Sequence, residues 1–139
     1  MTTDIATVET ESISTANFDV KAAIMTAFDT TTIEGQKAVF NASNNAGALD
    51  DMDTDTVHVT GIIVKPTSIV DREGEVKDLL GTTFITDNGS VYTVSTGIAR
   101  CAMNLFDALN GVFPAEGITI RFSQRKLSGG RTMRLFEWV

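Results

Sequence analysis

The 139-residue chain predicts a mainly β protein: an OB-fold-like five-stranded barrel in the order β-β-β-α-β-β, with an extra short N-terminal helix. Two observations predict it. Five segments rich in β-branched and aromatic residues carry strand patterning: Thr56–Ile69, Gly81–Thr86, Val91–Ser95, Ile118–Gln124 and Thr132–Val139. One segment, Gly97–Asn110, instead repeats its apolar residues with helical spacing, and it falls between the third and fourth strands. A chain of this length buries roughly two thirds of its unfolded surface, so one domain over residues 21–139 needs no disulfide or metal staple.

Residues 1–20 are rich in Thr, Ser and Glu with only isolated apolar side chains, a composition that predicts a flexible acidic tail. Thr31 and Glu34 have the spacing of a capping box, which predicts a short helix from about Thr32 to Ala42. Ile33, Gln36, Lys37 and Phe40 share one stripe of it, a narrow face expected to cover the barrel. Asn44, Asn45 and Gly47 end it, and Asp50, Asp51, Asp53 and Asp55 form an acidic loop. Asp51, Asp53 and Asp55 match the opening of an EF-hand loop, but Ile62 stands where the bidentate glutamate belongs, so the loop reads as solvated rather than metal-binding.

The first strand alternates through Val57 and Val59, then slips phase at Gly61, where Ile62-Ile63-Val64 is apolar throughout. A glycine at a phase slip predicts a bulge or sharp bend, which a curling sheet requires. His58, the single histidine, reads as a solvent-facing polar residue. Asp71–Asp78 reads as a charged hairpin connection centred on Gly74, and Asp87-Asn88-Gly89-Ser90 as a tight hairpin turn. In the helix, Ile98, Ala102, Leu105, Phe106 and Leu109 form one apolar face; Ser95 or Thr96 caps its start, and Gly111 with Pro114 ends it. Ile118, Ile120 and Phe122 face inward on the fourth strand. Arg125–Arg131 is a basic, glycine-bearing hairpin loop. The last strand places Met133 and Leu135 on one face and Thr132, Arg134, Phe136 and Trp138 on the other, either a second apolar contact or a stacking platform.

The net charge of −7 is unevenly distributed. Residues 1–60 hold ten acidic and two basic side chains, a balance of −8. Residues 117–139 hold five basic side chains against Glu137, a balance of +4, so the last two strands can meet phosphates although the molecule is acidic. No apolar run approaches the roughly 18 residues that span a membrane, and the N-terminus lacks the basic flank and apolar core of a secretion signal. Cys101 stands alone, which fits a reducing compartment and excludes an internal disulfide. A cytoplasmic protein is expected. No GxSxG, HExxH, CxxC, Walker or dinucleotide motif is present, so no catalytic residue, metal site or cofactor is implied and the protein is not expected to be an enzyme.

What remains is a binding surface. Single-stranded nucleic acid binds OB-type barrels by base stacking on aromatics and by a basic groove along the backbone. The stacking candidates are Tyr92, Trp138, Phe136 and Phe84, although Phe84 also suits a core position. The phosphate candidates are Lys65, Arg72, Lys77, Arg121, Arg125, Lys126, Arg131 and Arg134. The acidic, Thr-rich first half supports an alternative, a non-catalytic β-barrel module for protein interaction or virion association.

The run Phe28–Ala42, FDTTTIEGQKAVFNA, resembles the N-terminal signature of the single-stranded DNA-binding proteins of small, protein-primed Bacillus-type podophages. Phe28, Asp29, Thr30, Thr32, Glu34, Gly35, Gln36, Phe40, Asn41 and Ala42 match it; Gly74, Lys77, Thr83, Phe84 and the Gly89-Ser90-x-Tyr92 turn fit farther on. The resemblance implies a viral early protein that coats and protects displaced strands during phage DNA replication and is pushed off by the polymerase. It implies single-stranded DNA and the phage replication machinery as partners, and a place in the cytoplasm of the infected host. Tyr92 carries over as the stacking aromatic. Pro66 and Glu73 cannot stack as tyrosines would, and Trp138 is the residue that could compensate. The tail is longer than the pattern leads one to expect, which suggests self-association along the strand through it.

Overall fold

A computed structural model of the chain describes residues 23–139; the predicted tail over residues 1–20 lies outside that range. The elements are β1 (Ala23–Thr26), α1 (Ile33–Asn44), β2 (Gly47–Ala48), a single 3-10 turn (Leu49–Asp51), β3 (Thr56–Val70), β4 (Val76–Thr86), β5 (Gly89–Thr93), α2 (Thr96–Leu109), β6 (Ile118–Lys126) and β7 (Thr132–Trp138). The strands form one mainly antiparallel sheet in the order β2-β5-β4-β3-β6-β7, with β1 also on β3. It curls into a half-barrel.

The long strand β3 is the hinge of this curl. It pairs with β4 along one edge, and on the other with β6 through Thr56–Val59 and then with β1 through Gly61–Val64. The changeover coincides with the phase slip read from the sequence, where the β3–β4 register shifts between Val59 and Gly61. A side chain at Gly61 would meet Ile85 and Thr26, each 2.9 Å from an added Cβ, so those side chains pack into the space that the glycine leaves.

Inside the curl sit Val59, Ile62, Val64, Phe84, Ile118 and Ile120, closed off by Ile98, Ala99, Ala102 and Leu105 of α2. The helical stripe read from the sequence is therefore the buried face. Ser95 caps α2 by accepting from the Ile98 N–H at 3.3 Å, and Asn110 and Gly111 end it in left-handed conformations. Phe84, Phe122 and Phe136 meet edge to face with centroids 5.3–6.0 Å apart. Such pairs contribute about 0.5–1.5 kcal/mol each beyond their buried area.

Four local expectations need correction. First, β1 and β2 were not predicted: at four and two residues they are too short to show a period, and only pairing with β3 and β5 makes them strands. Second, β4 begins at Val76, so the last three residues of the charged connection, Val76–Asp78, are ladder. The turn itself is Asp71–Glu75, held by the Asp71 carboxylate accepting from the Glu73 and Glu75 N–H groups at 3.0 and 2.9 Å. Lys77, Ile69 and Val70 pair across a ribbon exposed on both faces, where alternation has nothing to report. Third, the cap of α1 is Thr32, accepting from the Gly35 N–H at 3.0 Å; Thr31 is held instead by Asp29.

Fourth, α1 docks through the opposite face from the one expected. Gly35 and Ala42 are buried, while Ile33 and Phe40 are 68% and 66% exposed. Gly35 leaves room for the chain leading into the helix: a Cβ there would strike the Asp29 carbonyl. The last turn of α1 is tied to β5 by the Ser90 hydroxyl donating to the Ala42 carbonyl at 2.7 Å.

Candidate nucleic-acid interface

Strand alternation divides β3, β4 and β5 into two faces. Ile62, Val64, Phe84 and Val91 face the core; Ile63, Lys65, Gly81, Thr83 and Tyr92 lie on the outer face. The register is set by the Asp87–Gly89 turn, where Gly89 takes φ 117° and the Thr86 hydroxyl donates to the Gly89 carbonyl at 2.9 Å. Tyr92 then pairs with Thr83, and its ring lies across Gly81, where an added Cβ would run into the phenol. Gly81 pairs with Lys65, so an exposed ammonium flanks the ring. Lys77 follows on the same face four residues along β4, about 13 Å away at strand spacing. It lies 3.8 Å from Asp71, a contact worth little in solvent. Arg72 stands exposed in the turn at the far end of the ribbon.

The second basic group divides in two. Arg121 is held by Glu137 across the β6–β7 ladder and Arg134 by Asp50 of the 3-10 turn. Arg125, Lys126 and Arg131 are exposed and without an acidic partner among the described residues. They surround a tip that Gly129 and Gly130 turn with φ 82° and 80° and that the Leu127 N–H closes on the Arg131 carbonyl at 2.8 Å. Arg125 and Lys126 are consecutive strand residues, so they point to opposite faces of the hairpin.

Of the four aromatics named from sequence, two are corrected. Phe84 is 0% and Phe136 8% exposed; both are core and neither offers a face to a base. The row Thr132-Arg134-Phe136-Trp138 is therefore not one platform: Phe136 fills the core and Arg134 is ion-paired, while Trp138 remains 51% exposed at the strand end. That end lies about 20 Å from the Arg125–Arg131 tip at 3.4 Å per residue, so Trp138 and those cations are not brought together. Tyr92, Lys65 and Lys77 are. The residue the sequence reading missed is Gly81, taken only as the start of a strand; its signal was a glycine opening a strand, which marks close approach of another group.

His58 is solvent-facing, as read, with 37% of its side chain exposed, and it is also bonded. Its Nδ1 lies 3.1 Å from both Asp87 carboxylate oxygens and its Nε2 2.8 Å from the Glu116 carbonyl. Asp87 above all, and then that carbonyl, raise its pKa. Both ring nitrogens face acceptors, so the imidazolium satisfies the site best. It staples the β4–β5 turn to the loop before β6. Cys101 is half-buried beside Ser123, Leu135 and Phe136, away from that histidine.

A half-buried aromatic over a glycine with an exposed lysine beside it is the kind of pairing that single-stranded nucleic acid meets by stacking and backbone contact. The chain belongs to the phage single-stranded DNA-binding protein family, whose model matches residues 18–135. It is similar to the single-stranded DNA-binding proteins of Bacillus phage phi29 and Bacillus phage PZA, to each of which it is 30% identical over 86 residues. That match spans 60% of this chain and 69% of each relative. No solved structure matches it.

Proposed function

We propose that this protein binds single-stranded DNA without regard to base sequence and coats displaced strands during phage DNA replication. The observation that carries the reading is Tyr92 lying on Gly81 beside Lys65 on the outer face of β4 and β5, in a chain of this family. An aromatic face accepts any base, and cations on either side follow the backbone without reading sequence. The barrel is of the OB type in this reading: the β4–β5 face and the β3–β4 and β6–β7 hairpins take the positions where that fold holds oligonucleotides. Arg72 with Lys77, and Arg125 with Lys126 and Arg131, are then the phosphate contacts of the two hairpins, and Trp138 a second stacking residue. The protein acts by binding alone, in the cytoplasm of the infected bacterium. It associates with further copies along the strand, through residues 1–20, and meets the replication machinery there.

Titration with a ~30-nucleotide oligo-dT tests the reading. Emission should be quenched at low salt, and affinity should fall by about 0.7 log units per phosphate contact for each log unit of salt. Because Trp138 dominates the emission, the Trp138→Phe variant isolates Tyr92. Unchanged emission together with no gel shift at low salt would overturn the proposal.

A further inference from the structure

Arg121 and Arg134 are both ion-paired, but their acids are held differently. Glu137 stands directly opposite Arg121 in the β6–β7 ladder, so the backbone pairing keeps the two together. Asp50 reaches Arg134 from the 3-10 turn, outside the ladder and across 84 residues of sequence. The turn is anchored by Leu49, which is 4% exposed. The loop after it is held on β6 by the Phe122 N–H donating to the Asp55 carbonyl at 2.7 Å. The Asp50 side chain is 77% exposed and lines a cleft of about 280 Å³ together with Thr54, Asp55, Gln124 and Arg134. Among the described residues its carboxylate bonds Arg134 alone. Rotation of that one side chain therefore frees the guanidinium and leaves Leu49 buried.

The ladder register sets Arg134 beside a free cation. Gln124 pairs with Arg134 and Lys126 with Thr132, so Lys126 and Arg134 share one face of the hairpin as diagonal neighbours, about 7–8 Å apart. Lys126 is exposed and has no acidic partner among the described residues. A single strand with one phosphate on Lys126 brings the next within reach of Arg134, where the Asp50 carboxylate already sits. Carboxylate and phosphate bind a guanidinium through the same N–H groups, so one excludes the other. From this overlap we infer that Asp50 is an autoinhibitory stand-in for a DNA phosphate: it occupies Arg134 in the free protein and yields it to the strand on binding. The inference rests on the reading that the protein binds single-stranded DNA. An exposed ion pair is worth little in solvent, so a polyanion displaces it. The displaced carboxylate then takes up a cation, which offsets the counterion released by the phosphate on Arg134.

The test is a salt series of oligo-dT binding by the full-length protein and its Asp50→Asn, Asp53→Asn and Asp50→Asn/Arg134→Gln variants, with thermal melts as a fold control. Asp50→Asn should bind about two- to fivefold more tightly at low salt, the range set by an exposed ion pair. It should also steepen the log–log salt slope by about 0.7. Asp53→Asn makes the same charge change in the same loop, at a residue with no cation partner among the described residues, and should leave the slope unchanged. The double variant should lose the gain in both affinity and slope. Unchanged or weaker binding by Asp50→Asn overturns the inference. An equal gain from Asp53→Asn, or a gain that survives the loss of Arg134, also overturns it and assigns the effect to bulk charge. Each of these outcomes leaves oligo-dT binding by the unmodified protein intact; if that binding is itself absent, the underlying reading fails and this inference with it.

Discussion

The inner and outer faces of the same three strands use aromatic residues in opposite ways. Phe84, inside, is fully buried and meets Phe122 and Phe136 edge to face. Tyr92, one strand over and on the other face, is half-buried with its phenol over Gly81. The ladder register separates them: Phe84 pairs with Val91, and the next residue of β5 points the other way. An aromatic lands in the core or on the other face by its parity in the strand, so a one-residue slip at the Asp87–Gly89 turn would exchange the two positions.

The largest effect expected from breaking this contrast is on stability. Phe84→Ala removes a fully buried ring and should cost about 3–5 kcal/mol, read as a lower denaturant midpoint. Tyr92→Leu keeps an apolar cover on Gly81 but removes the aromatic face. It should leave the midpoint nearly unchanged and weaken oligo-dT binding by about 1–3 kcal/mol. If Tyr92→Leu instead unfolds the protein at normal affinity, the distinction between inner and outer face is wrong.

Charge sharpens the comparison further. Changing Arg125, Lys126 and Arg131 together to Gln should reduce the log–log salt slope of binding by about 2, at roughly 0.7 per phosphate contact. Arg121→Gln should leave the slope unchanged, because Glu137 already neutralises that guanidinium.

The smallest effect belongs to His58. Its folded pKa is raised above the ordinary 6.5, chiefly by Asp87 and then by the Glu116 carbonyl. The imidazolium therefore adds stability that is complete below pH 6.5 and fades as pH rises through the folded value. Thermal melts from pH 5 to 9 should show a slight loss in that window, absent in Asp87→Asn.

Parts of the candidate surface were legible in local pattern. Tyr92 was visible as the aromatic of a short strand after an Asn-Gly turn, and the cations of Arg125–Arg131 as a cluster around two glycines. Phe136 and Trp138 were not separable, because they share one strand face and differ only in whether the core reaches them. The stripe of α1 was misassigned for a related reason. Ile33 and Phe40 are its largest apolar residues, yet the buried face is that of Gly35 and Ala42, which the preceding chain and the Ser90 hydroxyl meet.

The sequence by itself determined the order of five strands around one helix, the buried stripe of α2, the bend at Gly61 and the turn before Tyr92. Each depends on periodicity or backbone freedom within a few residues. Tertiary structure alone decided which arginines are spent on acids, which aromatics are outside and where β1 and β2 lie. His58 meets Asp87 across 29 residues of sequence and Arg134 meets Asp50 across 84. Such partnerships arise only when a curled sheet brings distant segments together, and no local pattern encodes them.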